Sequence, residues 1–136
     1  ILGGALLSGC APRTNEITIK DAWARPGKMS SNSAVYFIID NPLPITDTLI
    51  KAEGDIAESV ELHKSMLDDQ GTMMMRPLES VSIDAKTKVE FKPGGLHVML
   101  FSLKQDLNAG DQFTLTLHFQ SNPDITLQVQ VKESSE

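Results

Sequence analysis

Cysteine is nearly absent from the sequence: the single one, Cys10, stands close to the start, and residues 11–136 contain none. A fold built from the rest of the chain therefore has no disulfide framework, no thiolate nucleophile and no thiolate metal ligand. A blue-copper electron-transfer centre is excluded for the same reason, because its copper is bound by a cysteine thiolate.

The sequence also lacks a basic cluster, a helical repeat and a catalytic signature. Its twelve Lys and Arg residues are scattered and the formal net charge is −6, so a nucleic-acid partner is not expected. No segment keeps an apolar repeat of 3.6 residues. No Ser-His-Asp order, P-loop or HExxH motif is present, and we do not expect an enzyme.

The first nine residues, ILGGALLSG, are too short to span a bilayer and look like the apolar tail of a secretory signal. The tetrad LSGC at residues 7–10 resembles the bacterial lipobox, in which the peptide is cut before a cysteine that then receives a lipid. This predicts residues 1–9 as a signal remnant and residues 10–15 as a tether lipidated at Cys10. The alternative is an ordinary signal followed by a free thiol. Both interpretations predict export.

Short alternating segments separated by turn signals fill the remainder of the chain. QFTLTLHFQ and ITLQVQV alternate apolar and polar residues, whereas Asn41-Pro42, Gly54 and residues 67–71 (LDDQG) mark turns. About eight or nine such segments predict an all-β, antiparallel β-sandwich over residues 16–132, with a tail at 133–136. Trp23 is assigned to packing, with a role in a site as the minor alternative.

Histidine and methionine concentrate in two stretches. In GGLHVMLFSL, residues 94–103, an extended backbone puts His97, Met99 and Phe101 on one face. The upstream stretch ELHKSMLDDQGTMMMRPL is predicted to form a hairpin in which His63 is opposite Met75, with the turn centred at Asp69.

Three consecutive methionines, Met73 to Met75, cannot all face one core on a strand. Met73 and Met75 share one face and Met74 takes the other, although filling of the core remains an ordinary use of methionine. Thioether and imidazole without carboxylate or thiolate form a ligand set that suits Cu(I) rather than zinc or calcium.

Several segments together resemble the periplasmic copper chaperone family PCu(A)C. They are AWARP (22–26), AVYFIIDNP (34–42), VELHKSM (60–66), GTMMMRPLE (71–79), FKPGGLHVML (91–100) and LKQDLNAGD (103–111). The family signature is a His, a Met about eleven residues later, a spacer of twenty-one residues and then His-x-Met. His63 matches the first His, residues 76–96 supply the spacer after Met75, and His97 with Met99 completes the pattern.

The resemblance implies a cupredoxin-like sandwich that binds Cu(I) near its surface through His63, Met75, His97 and Met99. Met74, one residue earlier, is the alternative to Met75 as the ligand. The chain departs from the family at Lys64, where an acidic residue or Met is common. The tail VKESSE lacks the His and Met that form a second copper site in some relatives. The third histidine, His118, is predicted to lie on a solvated face.

The resemblance further implies a monomeric metallochaperone of the periplasm. It is expected to have two partners. One is a copper-accepting protein, which the family resemblance identifies as the copper centre of cytochrome c oxidase, and the other is the membrane that holds the lipid on Cys10. A copper-storage lipoprotein without a dedicated acceptor is the alternative, and a structural β-sandwich with an incidental Met cluster is a third. Copper titration separates the third hypothesis from the others, and transfer to an apo acceptor separates the first from the second.

Overall fold

The computed structural model describes residues 15–134, which form strands joined by turns and loops. Cys10 and the predicted signal remnant lie outside the described residues. Within residues 15–134, no helix is long and apolar enough to cross a membrane. The strands are β1 Thr18–Ala24, β2 Ser33–Asn41, β3 Asp47–Glu53, β4 Ala57–Leu67, β5 Met73–Leu78, β6 Val81–Ile83, β7 Thr87–Phe91, β8 Leu96–Leu103, β9 Gln112–Phe119 and β10 Ile125–Val131.

The strands follow from the apolar alternation of the sequence. In β9 the even spacing buries Phe113, Leu115 and Leu117 and leaves Thr114 exposed, as expected for a strand with one face on a core. β2 is different because its apolar residues are nearly continuous, and it is buried along most of its length. A strand of this kind belongs inside the sheet, where both of its faces are covered.

The ten strands form one hydrogen-bonded sheet in the order β5-β4-β8-β7-β2-β1-β10-β9-β3-β6. Leu62 near one end of this order and Ile83 at the other belong to the same buried core, so the sheet folds over on itself as a sandwich. The predicted all-β, cupredoxin-like sandwich is confirmed. Two strand pairs, β1 with β10 and β7 with β8, are parallel, and the three-residue strand β6 was not predicted.

A second, smaller apolar cluster lies on the other face of β8. Val98 and Leu100 enter the main core, whereas Met99 between them packs with side chains of β1 and β2. Ser102, with φ of 58°, interrupts the alternation, and Leu103 returns to the main core. The small cluster, which we call the outer cluster, consists of Trp23, Ala34, Tyr36 and Met99, with Phe101 packed against it.

Asp47 is a buried carboxylate that ties β3 to the turn after β9. Its Oδ1 accepts hydrogen bonds from the backbone N–H groups of Thr48 at 2.7 Å and Ser121 at 2.9 Å, and its Oδ2 accepts from the Asn122 amide at 2.5 Å. Burial acts to raise the pKa of Asp47, but these hydrogen bonds together outweigh it and hold the pKa below its ordinary value of 3.8.

Candidate metal site

Two histidines face each other across neighbouring strands. His63 on β4 is directly opposite His97 on β8, both are buried, and their ring centres are 5.8 Å apart. An imidazole nitrogen binds a metal at about 2 Å, so two rings that share one ion have centres up to about 6 Å apart. The separation of the two rings is therefore compatible with a shared metal ion.

His97 has one ring nitrogen available for a metal. Its Nδ1 lies 3.1 Å from the Gly95 carbonyl oxygen, which can only accept, so Nδ1 carries the proton and Nε2 carries the lone pair. Burial lowers the pKa of His97, the Gly95 hydrogen bond opposes this effect, and neighbouring His63 adds to the lowering. The net result favours the neutral imidazole, which is the form that binds metals.

His63 presents the other nitrogen. Its Nε2 lies 3.0 Å from Oε1 of Glu61, and because a carboxylate accepts, Nε2–H is the donor. Nδ1 of His63 is buried without a hydrogen-bond partner, the single such side-chain atom in the described part of the chain. An unpaired buried polar atom costs about 1–3 kcal/mol. With the proton on Nε2, Nδ1 keeps a lone pair that can bind a metal ion.

Met99 supplies a buried thioether on the face of the two histidines. It is two residues after His97 on β8, and its side chain is 9% exposed within the outer cluster. Tyr36 of that cluster also approaches His97, with ring centres 6.4 Å apart. Trp23 packs on Tyr36 at 4.8 Å. The packing role predicted for Trp23 is therefore found in the cluster beneath the site instead of in the main core.

Met75 lies on the edge strand β5 and is 50% exposed. The predicted register of the hairpin is wrong by two residues, because His63 is opposite Pro77, and Met75 is opposite Ser65. The shift keeps the parity of the strand, so Met75 still shares the face of His63 as its diagonal neighbour. Met74 is on the opposite face, across from Met66.

The three consecutive methionines do not fill a core. Met73, Met74 and Met75 are 56%, 46% and 50% exposed. Large apolar side chains of this kind on an edge strand gain little from packing. Core filling therefore does not explain them, and a thioether available at the surface is the property that distinguishes this strand.

Sequence reasoning did not assign a role to two side chains that surround His63. Phe101 covers His63, with ring centres 5.5 Å apart, and Glu61 holds its Nε2. Their positions contained a signal, because Phe101 is two residues after Met99 and Glu61 is two residues before His63. On a strand, residues at this spacing share a face.

A cavity of about 240 Å³ opens beside the site. Met75, His97 and Met99 line it, together with Tyr36 and Arg25. Arg25 donates from Nε to the Tyr36 hydroxyl at 3.0 Å and lies over the Tyr36 ring at 5.6 Å. Three of the four predicted ligands are therefore reachable from one open space.

The third histidine does not join the site. His118 is on β9, which pairs with β3 and β10, and its ring nitrogens lie 2.6 Å from Glu53 and 3.0 Å from Asp124. Both nitrogens are thus engaged by carboxylates. Within residues 15–134 there is no group of three or more His, Cys, Asp or Glu side chains arranged to hold a metal ion.

The site combines two imidazole nitrogens with one buried and one exposed thioether. Such nitrogen and soft sulfur donors match the preference of Cu(I), whereas hard cations select carboxylate and carbonyl oxygens. The opposed histidines and Met99 are held by packed strands, and Met75 is held by an edge strand. Donors of this kind, placed on one face of neighbouring strands, suit a soft metal ion.

The chain is similar in sequence to known proteins. A family profile described as "Putative lipoprotein LpqE-like" matches residues 17–131. Uncharacterized protein RP573 of Rickettsia prowazekii is 36% identical over 114 residues, which cover 80% of this chain and 62% of that protein. The chain therefore spans less than two thirds of the length of this relative.

Two solved structures share the fold. The copper-bound PCuAC domain from PmoF2 superposes with a TM-score of 0.72 at 21% identity, covering 89% of this chain and 96% of that one. The Cu(I) form of DR1885 from Deinococcus radiodurans gives a TM-score of 0.62 at 22% identity, covering 85% and 78%.

Proposed function

Because this chain belongs to the LpqE-like family and has the fold of PCuAC domains, we propose that it is a copper metallochaperone that binds Cu(I) and delivers it to an acceptor protein. The neighbours in fold include domains that bind copper. The observation that carries the proposal is the opposed pair His63 and His97, since the pair offers a buried ring nitrogen without a partner on the sheet face that also carries Met99.

The proposed ligands are His63, Met75, His97 and Met99. His63 would bind through Nδ1 and His97 through Nε2, because the other nitrogen of each ring donates a hydrogen bond to Glu61 or to the Gly95 carbonyl. This is the arrangement by which outer hydrogen bonds orient metal-binding imidazoles.

The unequal exposure of the two thioethers suits a carrier. Met99 is 9% exposed and Met75 is 50% exposed. Since Met75 stands on the edge strand and lines the open cavity, we propose that it leaves the copper first, when a ligand of the acceptor arrives through that cavity. The two histidines and Met99 hold the ion during the exchange.

The proposed acceptor is the copper centre of cytochrome c oxidase, and the proposed location is the periplasm, with Cys10 as the lipid anchor. The resemblance to PCu(A)C proteins and the LSGC tetrad support these assignments. A Cys10→Ser variant of the exported protein should leave the folded domain intact and release it from membranes. Cell fractionation tests this, and a variant that stays wholly in the membrane fraction would contradict the lipid anchor.

Transfer distinguishes delivery from storage. Protein loaded with one equivalent of Cu(I) is mixed with the apo copper-binding domain of cytochrome c oxidase, the two are separated, and copper is measured in each. Delivery predicts that copper appears in the oxidase domain faster than it appears in a chelator of equal affinity. Copper that remains with the loaded protein, or that moves only as fast as it moves to the chelator, would favour the storage function.

A further inference from the structure

We propose that Glu61 is a positioning residue for the metal site: its carboxylate holds the Nε2–H of His63 and so presents Nδ1 as the metal-binding nitrogen. The inference rests on the proposed copper function, and it assigns a role to a side chain that is not itself a ligand. Two separate observations carry it, namely the 3.0 Å contact between Glu61 and Nε2 of His63 and the buried Nδ1 of the same ring, which has no partner.

The contact is built by the strand itself. Ser59, Glu61 and His63 alternate along β4, so their side chains share one face. The Ser59 hydroxyl donates to Oε2 of Glu61 at 3.2 Å, while Oε1 accepts from His63. Each carboxylate oxygen therefore has its own donor, and Glu61 is held from both sides although its side chain is 45% exposed.

A neutral imidazole has two tautomers, and only one of them leaves a lone pair on Nδ1. Without an acceptor at Nε2, His63 could place its proton on Nδ1 and lose the lone pair that the metal requires. Glu61 selects the Nε2–H tautomer, as the Gly95 carbonyl selects the Nδ1–H tautomer of His97. The two histidines thus offer different nitrogens to one ion.

A carboxylate acceptor also strengthens the metal-binding nitrogen. A carboxylate that accepts from the far nitrogen of an imidazole raises the basicity of the nitrogen that binds the metal, and loss of such a partner typically costs about 10- to 100-fold in metal affinity. Glu61→Ala should therefore weaken Cu(I) binding by a factor in this range. Glu61→Gln keeps an acceptor oxygen and should lose less.

Glu53 offers a matched control. It makes the same kind of contact with a histidine, 2.6 Å to Nε2 of His118, and it lies on β3, which carries none of the proposed ligands. Glu53→Ala removes an exposed carboxylate and its histidine contact, as Glu61→Ala does. It should leave both the tautomer of His63 and the affinity for Cu(I) unchanged.

The test has two readouts on the folded protein. Long-range ¹H–¹⁵N NMR of the metal-free protein gives the tautomer of His63: we expect Nε2–H in the wild type and in Glu53→Ala, and a mixture or the opposite tautomer in Glu61→Ala. Competition with a Cu(I) chelator gives the affinity, with the order wild type, Glu61→Gln, Glu61→Ala. Thermal melts identify any variant that fails to fold. If Glu61→Ala does not fold, the affinity and tautomer of Glu61→Gln provide the test.

Three results would overturn the inference: Nδ1–H in the wild type, an unchanged tautomer in Glu61→Ala, or copper bound by Nε2 of His63 with Glu61 displaced. Failure of the proposed function is a different result, because a wild type that binds no Cu(I) would remove the copper site while the NMR of the metal-free protein still reports whether Glu61 sets the tautomer.

Discussion

His63 and His97 are opposite each other across β4 and β8 at 5.8 Å, yet they are fixed by unlike partners, a carboxylate and a backbone carbonyl. Their backbone positions belong to the most extensively paired part of the sheet, where β8 is joined to β4, β7 and β2. The histidine pair is therefore the rigid part of the proposed site, and we expect the exposed methionine on β5 to be the ligand that exchanges.

Replacement of Met75 by Leu should separate folding from copper binding. Because the side chain is 50% exposed, the free energy of unfolding should change by less than about 0.5 kcal/mol. Loss of one thioether should speed the release of Cu(I) to a chelator. Met74→Leu is the matched control, since Met74 is 46% exposed but lies on the other face of the same strand. Equal release rates for the two variants would contradict the role of Met75.

Replacement of Met99 by Leu should lower both the stability of the fold and the retention of copper. Met99 packs in the outer cluster with Trp23 and Tyr36, and a swap of similar volume in a packed position costs up to about 1.5 kcal/mol. Denaturant unfolding should show this modest loss, whereas copper retention should fall more than in Met75→Leu. A variant that retains copper as well as the wild type does would exclude Met99 as a ligand.

Metal preference follows from the two thioethers. Cu(I) should bind more tightly than Cu(II) or Zn(II), because soft sulfur favours the soft ion. Oxidation of the methionines to sulfoxides should weaken Cu(I) binding, and treatment with methionine sulfoxide reductases should restore it. Competition titrations test both statements. Zn(II) bound as tightly as Cu(I), or affinity unchanged by oxidation, would count against the ligand set.

Asp47 should make the free energy of unfolding depend on pH in the acidic range. Its pKa is lowered on folding, so the ionised carboxylate stabilises the native state above the ordinary value of 3.8, and this contribution is lost as the pH falls through the lower native pKa. Asp47→Asn removes the charge and places an amide group opposite the side-chain amide of Asn122. It should cost about 1–3 kcal/mol at pH 7, and the difference from wild type should shrink below about pH 3.8. A difference independent of pH would contradict this account.

The alternation of side chains along a strand predicted which residues of that strand share a face. The shared face of His97, Met99 and Phe101 and the division of Met74 from Met75 follow from the period of two, and both are present in the structure. Turn length does not follow from alternation. Asp68 accepts from the backbone N–H groups of Gln70 and Thr72, which sets a five-residue turn and shifts the hairpin register by two.

The register between strands that are distant in the sequence could not be predicted from the apolar pattern, for a physical reason. The opposition of His63 and His97 depends on which strands become neighbours, and this is decided by the packing of the whole sandwich. The outer cluster of Trp23, Ala34, Tyr36 and Met99 likewise joins three strands. The short strand β6 has too few residues to show a period.

One NMR titration tests the central claim most directly, because it observes every candidate ligand at once. Protein carrying ¹³C-labelled Met methyl groups and ¹⁵N-labelled His is titrated with Cu(I), with His118, Met73 and Met74 as internal controls. We predict that the signals of Met75, Met99, His63 and His97 shift together and saturate at one equivalent, while the control signals stay in place. Shifts in Met73 or Met74 as large as those in Met75 and Met99, or histidine signals that do not move, would contradict the proposed site.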